Sequence, residues 1–244
     1  MNRLIGTIFV DHDLRRFVGM KRLFSVFILC FLYSLSSCVE IIDDISINGD
    51  GTGTFKYTVN LSSSKVKINS ILALDSLDGK KVPSIADIKL RINSIVESLE
   101  KKDGISNVEF EGNYDDYLFK LTCDFSSLKE LQDAVKDIVR EENGGENLPE
   151  LNHEWISLDE NALARSIPQI SIQKTNEIKN SEKVLLKEGT YTSISRFDTE
   201  VLSFSNDNAT LSKNKKAVMV RTDSYSLTQN PQLLDNTIIL TPAQ

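Results

Sequence analysis

The residues of this 244-residue chain with chemistry to offer are three cysteines, two histidines and a scatter of carboxylates. Cys38 ends the stretch "LFSVFILCFLYSLSSC", where an apolar run gives way to a polar, acidic chain. A thiol there could take an acyl group, a disulfide or a metal. His153-Glu154-Trp155-Ile156-Ser157 opens like the His-Glu-x-x-His helix of a zinc hydrolase, but the second histidine would fall where Ser157 stands. His153 is the one histidine after residue 38, so a site built on several histidines is excluded there. A Ser-His-Asp triad has its residue types but no Gly-x-Ser-x-Gly elbow to present the serine. "SINGDGTGTFKY" puts Ser46 and Tyr57 at the first and twelfth positions of an EF-hand loop, where that loop needs carboxylates. It also lacks the Gly-Lys-Ser/Thr of a phosphate loop. The acids of "EGNYDD" (Glu111 to Asp116), with Asp43, Asp44 and Asp50, could serve a carboxylate pair but equally mark polar turns. No catalytic residue, metal ligand or cofactor is expected.

Cys38 keeps its meaning through its neighbours. Met20-Lys21-Arg22 is a basic start, and Leu23 to Leu35 is an apolar run shorter than the roughly 20 residues of a membrane span. That pattern is a signal-peptide core. Leu35-Ser36-Ser37-Cys38 resembles the bacterial lipobox, with a branched apolar residue, two small residues and a cysteine. The resemblance implies signal-peptidase recognition through Leu35, Ser36 and Ser37, and lipidation of Cys38 by a diacylglyceryl group and chains such as palmitate. Two or more chains, at about 0.8 kcal/mol per buried CH₂, anchor a protein stably with no protein segment in the bilayer. Val39 follows the cysteine, where Asp would signal inner-membrane retention, so the expected address is the outer membrane, facing periplasm or cell surface. Residues 1–19 place Asp11 and Asp13 ahead of the basic start, and translation is expected to begin at Met20.

Residues 1–37 hold five basic and two acidic side chains, so their removal takes the charge from −7 to −10. That balance argues against nucleic-acid binding and against attraction to anionic headgroups. Lipidation of Cys38 and loss of Cys30 leave Cys123 alone, without a disulfide partner.

Periodicity predicts the elements. Val39, Ile41, Ile45 and Ile47, then Phe55, Tyr57, Val59 and Leu61, alternate around "NGDGTG" as a β-hairpin. Residues 62–83 read as irregular. Ser84 with Asp87 caps a helix carried by Ile85, Ile88, Ile92, Ile95 and Leu99, closed by Lys101, Lys102 and Gly104. A strand with Val108 and Phe110 turns into one placing Tyr117, Phe119, Leu121, Cys123 and Phe125 on one face. Ser127 with Glu130 caps a second helix through Leu128, Leu131, Val135 and Ile138. Residues 141–150 read as loop, 153–156 as a short strand, Ser157 to Glu160 as the start of a short helix, and 173–189 as a solvated, mobile stretch. Four β-like runs follow at 190–197, 201–205, 217–222 and 237–240. The expected fold is α+β: a largely antiparallel sheet with two main helices packed on one face, in a single domain over 38–244 with a loop-rich region near 141–189.

Beyond the lipobox, Ile45–Val59, with the helix at 84–103, resembles the start of small bacterial lipoproteins of the LppM-like kind. That resemblance implies an envelope protein, with lipid binding in some members, and carries over no site residue. The expected role is a non-enzymatic binding or assembly component, held to the membrane by its N-terminal lipid and meeting an envelope protein or a lipid. A carrier of an apolar ligand is the alternative, and a hydrolase using acidic residues the third reading.

Overall fold

The computed structural model describes residues 39–77, 79–145, 148–166 and 189–242. Leu35, Ser36, Ser37, Cys38 and the polar stretch 173–188 lie outside them. Among the described residues no helix is long and apolar enough to cross a membrane.

β1 (Glu40–Ile47) and β2 (Gly53–Asn60) form the predicted hairpin, with Ile45 opposite Phe55. Their turn closes by Gly51 N–H to the Asn48 carbonyl at 2.9 Å, and Gly51 adopts a φ of 84° that side chains disfavour. Gly53 answers a different constraint. A Cβ there would stand 2.0 Å from the Ser46 carbonyl oxygen and 2.5 Å from the Phe125 ring. After β2 come a 3₁₀ turn (Ser62–Ser64), α1 (Lys65–Leu72), the small hairpin of β3 (Ser76–Leu77) and β4 (Lys80–Lys81), and α2 (Ile85–Leu99). The capping box is present at α2: Ser84 and Asp87 bond each other's backbone. β5 (Ile105–Asn113) and β6 (Leu118–Phe125) lead to α3 (Leu128–Glu142), whose Ser127 cap accepts the Glu130 N–H at 3.2 Å. The remaining elements are a 3₁₀ turn (Pro149–Asn152), β7 (Ile156–Asp159), β8 (Ala162–Arg165), β9 (Thr190–Phe197), β10 (Val201–Phe204), β11 (Ala209–Leu211), β12 (Ala217–Asp223), α4 (Ser224–Gln229), a 3₁₀ turn (Pro231–Leu234) and β13 (Asn236–Leu240).

The fold is α+β. Seven strands form one sheet in the order β11-β12-β9-β1-β2-β6-β5, antiparallel except for the parallel pair β1–β9. Four more form a second, antiparallel sheet in the order β10-β13-β8-β7. Both main helices are present, and α3 contacts β5, β6 and β7 while α2 contacts α3 and β5. The helices share their side of the large sheet with the second sheet, which the sequence reading did not foresee. One buried cluster joins Ile45, Ile47, Cys123, Phe125 and Phe197 of the large sheet to Leu128 and Leu131 of α3 and to Ile156, Leu163 and Ile238 of the second sheet. Gln132 ties the layers. Its side-chain nitrogen donates to the Ile156 carbonyl at 2.7 Å, and its oxygen accepts the Trp155 N–H at 3.0 Å. The free edge of β7 thereby bonds a helix side chain in place of another strand.

Four local expectations are corrected. Residues 62–83 hold α1 and the β3–β4 hairpin; Ser64 makes no side-chain cap bond, so α1 lacks the start signal that marks the other helices. Ser157 to Glu160 is not a helix. Ser157 lies in β7 and Glu160, with φ 48°, turns the chain into β8. Pairing with β8 and the Gln132 contact outweigh the cap-like spacing. Residues 153–156 hold only the first residue of β7, and the 141–150 stretch read as loop contains the end of α3 and a 3₁₀ turn.

Leu131 is fully buried at the centre of this packing, whereas Leu90 on α2 is 69% exposed. Leu131→Ala is expected to lower unfolding stability by about 2–5 kcal/mol in a urea titration, and Leu90→Ala by less than about 0.5.

Candidate functional site

Odd-numbered residues of β1 face the core. At position 43 that face carries an aspartate, between Ile41 and Ile45. An isolated carboxylate there would be expensive, and the fold supplies a partner from the opposite sheet. Arg165, the last residue of β8, places Nη1 3.0 Å from Asp43 Oδ1 and Nη2 3.0 Å from Oδ2, a bidentate pair. The side chains are only 11% and 6% exposed. Tyr191 donates its hydroxyl to Asp43 Oδ2 at 2.6 Å, and Arg165 Nη1 also donates to Ser193 Oγ. Asp43 lies opposite Ser193 on β9 and opposite Tyr57 on β2, so one cluster spans three strands of the large sheet and one of the small. Burial pushes the Tyr191 phenol well above its usual pKa, and the adjacent Asp43 charge adds to the effect; the same two causes raise Tyr57. For Arg165, burial works to lower the pKa, but the charge and hydrogen bonds of Asp43 outweigh it and hold the guanidinium protonated. Asp43, Arg165, Tyr191 and Ser193 are bonded to one another, which makes the cluster a clamp between layers.

Beyond the clamp, towards the end of the large sheet where β1 begins, the inward face changes character. Ile41, Val59 and Phe119 are half-buried and lie outside the core cluster. Phe119 stacks on Phe110 with ring centroids 6.4 Å apart and meets the edge of Tyr114 at 5.2 Å. Lys89 of α2 sits over the Tyr114 ring at 4.7 Å, bringing the helix to this aromatic group. The stripe Ile85, Ile88, Ile92 and Ile95 of α2 is half-buried too; only Leu99 at its far end is buried. Both the sheet at this end and the helix that reaches it through Lys89 thus keep half-open apolar surface.

The other candidates are placed as follows. Cys38, with Leu35, Ser36 and Ser37, lies outside the described residues, but Val39 is buried and its carbonyl accepts the Thr190 N–H at 2.7 Å. Cys123 is buried on the inward face of β6, and burial, then the Asp124 charge, pushes its thiol up to about 11, so little nucleophilic thiolate forms at neutral pH. His153 Nε2 lies 2.9 Å from Ser166 Oγ, which in turn is 3.4 Å from the Glu154 carbonyl. Asp50 is held by the Thr52 hydroxyl and N–H, which lower its pKa. Around "EGNYDD", Glu111 pairs with Lys120 at 2.9 Å and Asp116 with Lys65 at 2.9 Å. Asp44 forms a bidentate pair with Arg196 on the outer face. No group of three His, Cys, Asp or Glu side chains that could hold a metal occurs among the described residues. Sequence reasoning missed Arg165, Tyr191 and Ser193. The signal for Asp43 was present, an acid in register with Ile41, Ile45 and Ile47.

No protein-family model matches the chain. No curated protein sequence matches it either. Among solved structures, the NMR structure of the folded domain of LppM from Mycobacterium tuberculosis aligns over 84% of this chain and 91% of its own, with a TM-score of 0.41 and 11% identity. A likeness at that level carries neither an activity nor a site across.

Removing one partner of the clamp leaves a buried charge. Arg165→Met and Asp43→Ala are each expected to cost about 3–5 kcal/mol in urea unfolding, and the double variant less than the sum of the two. A second outcome concerns pH. Tyr57 and Tyr191 have folded pKa values raised above the ordinary 10.0, so their contribution is full below pH 10.0 and is lost as pH climbs through the raised folded values. The urea midpoint is expected to fall as pH rises above about 10, and Tyr57→Phe/Tyr191→Phe to flatten that fall.

Proposed function

We propose that the chain is a bacterial envelope lipoprotein, anchored through Cys38, whose domain is a non-enzymatic binding or assembly component. The observation that carries this reading is the meeting of the lipobox with the fold. β1 begins at Glu40, two residues after Cys38, and Val39 is already bonded to the sheet. A lipid on Cys38 would hold the domain directly against the bilayer with no linker. The outer membrane is the address that Val39 favours, with the domain facing the periplasm or the cell surface. Support for a non-enzymatic role comes from the engagement of Asp43, Asp44, Asp50, Glu111 and Asp116 in pairs and turns, and from the inert setting of Cys123.

A second reading has its own observation. Ile41, Val59 and Phe119 on the sheet and the stripe of α2 both leave apolar surface half-buried, a feature suited to an apolar ligand or lipid tail.

Metabolic labelling with a tagged fatty acid tests the anchor: wild type is expected to be labelled and Cys38→Ala to lose the label, and equal labelling refutes the reading. Affinity capture of the anchored protein from membranes then separates the two roles. A recurrent protein partner supports assembly. A stoichiometric lipid in the purified protein, displaced by Phe119→Asp, supports the carrier.

A further inference from the structure

The excursion between β2 and β5 differs from the rest of the molecule in charge and in surface. Residues 62–91 hold six basic side chains (Lys65, Lys67, Lys80, Lys81, Lys89 and Arg91) against three acidic ones (Asp75, Asp78 and Asp87), in a chain that is acidic overall. Much of their apolar content faces solvent: Val66 is 83% exposed, Leu74 46% and Leu77 37%. Lys67, Lys80 and Lys81 are exposed alongside them. Asp87 is taken up by the cap of α2. The adjoining β5–β6 turn adds Asp115 and Asp116, of which Asp116 is paired to Lys65.

Three contacts fix where this excursion sits. Lys65 bonds Asp116 at 2.9 Å, Tyr117 donates its hydroxyl to Asn69, and Lys89 lies over the Tyr114 ring. All three tie it to the β5–β6 turn. That turn is at the end of the sheet where the chain enters β1, since Leu61 N–H bonds the Tyr117 carbonyl at 2.9 Å and Asn60 lies opposite Glu40. The exposed apolar residues and their lysines therefore share one end of the domain with Val39, the residue next to Cys38. One extended residue spans at most about 3.6 Å. Resting on the anchoring reading above, that leaves this end no room to stand off from the membrane.

We propose that α1 and the β3–β4 hairpin form a docking surface for an anionic phospholipid bilayer, with Val66, Leu74 and Leu77 entering the headgroup region and Lys67, Lys80 and Lys81 meeting lipid phosphates. An interfacial segment combines this way, with apolar side chains in the acyl boundary and cations at headgroup level. The negative charge carried elsewhere on the domain is repelled by the same surface, so the two effects together stand the sheet end-on to the membrane. The charge of the whole chain conceals this, because the basic residues are concentrated at one end.

The test uses the full lipoprotein purified from membranes and returned to vesicles of phosphatidylcholine with phosphatidylglycerol. Ser70→Cys places a spin label on α1, one turn from Val66, and Lys213→Cys places one on the turn between β11 and β12 at the opposite end. Cys123 is buried and does not compete for the label. The label at 70 is expected to be reached by oxygen and shielded from a water-soluble nickel chelate, and the label at 213 to behave in the opposite way. Changing Lys67, Lys80 and Lys81 together to Gln is expected to lower the ratio of lipid-contacting to water-exposed label at 70 by about a hundredfold, near fivefold per lysine. Val66→Ser/Leu74→Ser, which leaves the lysines in place, is expected to reduce it as well. Vesicle-bound protein whose label at 70 is as open to the nickel chelate as the label at 213 overturns the docking surface and leaves the anchor standing. Dipolar broadening at 70 that dilution with unlabelled protein removes would assign the surface to a second copy, and also overturns it. Protein that does not float with the vesicles overturns both readings.

Discussion

A carboxylate on the apolar face of a central strand is the constraint around which this domain is organised. Asp43 cannot be left among Ile41, Ile45 and Tyr57 without a counter-charge, because an unpaired buried charge would cost several kcal/mol. Arg165 supplies it from the other sheet, and Tyr191 and Ser193 complete the set from the strand that runs parallel to β1. A bidentate guanidinium–carboxylate pair accepts only a narrow range of orientations. It therefore fixes the register of β8 over β1 and β9 in a way that the apolar contacts of Leu163 or Ile238 would not. A slip of one residue in β1 would turn Ile45 and Ile47 out to solvent along with Asp43, bring Ser46 in, and part Asp44 from its outer-face partner Arg196.

The same economy governs the other polar groups. Gln132 is buried and bonds both the N–H of Trp155 and the carbonyl of Ile156, so a helix residue closes the edge of the small sheet. Asp87 and Asp50 hold backbone groups at a helix start and in a turn. Asp44 is paired across the outer face with Arg196, a contact worth little in stability because it is open to solvent. These polar groups hold the architecture together. Half-open apolar surface lies at the end where β1 begins.

The legible parts of the fold were those with strong local signals. The hairpin of β1 and β2 was readable from alternation around Asn48–Gly53, and α2 and α3 from their Ser84 and Ser127 caps followed by apolar stripes. The closing runs appear as β9, β10, β12 and β13, with β11 too short to stand out. Where local signals were weak or contradicted, the reading failed. α1 has no side-chain cap and little apolar periodicity, and is held by contacts from Asp116 and Tyr117, some fifty residues away in sequence. Ser157 and Glu160 have cap spacing, yet their segment pairs with β8 and is fastened by Gln132, neither of which a local window contains. Of the clamp, only Asp43 was singled out, and as an acid of a pair or a polar turn; Arg165 lies 122 residues away along the chain and Tyr191 148.

The sequence by itself determined the α+β class and the identity of most strands and both long helices. These follow from short-range rules: the two-residue period of a strand and the reciprocal bonding of a cap. Only the tertiary structure decided that the chain divides its strands between two sheets, that Asp43 is a buried partner and not a surface acid, and that Lys65, Asn69 and Lys89 tie the 62–91 excursion to the β5–β6 turn at the end where β1 begins. Those outcomes depend on pairing between segments far apart in sequence, where desolvation and geometry act on groups that no local pattern brings together.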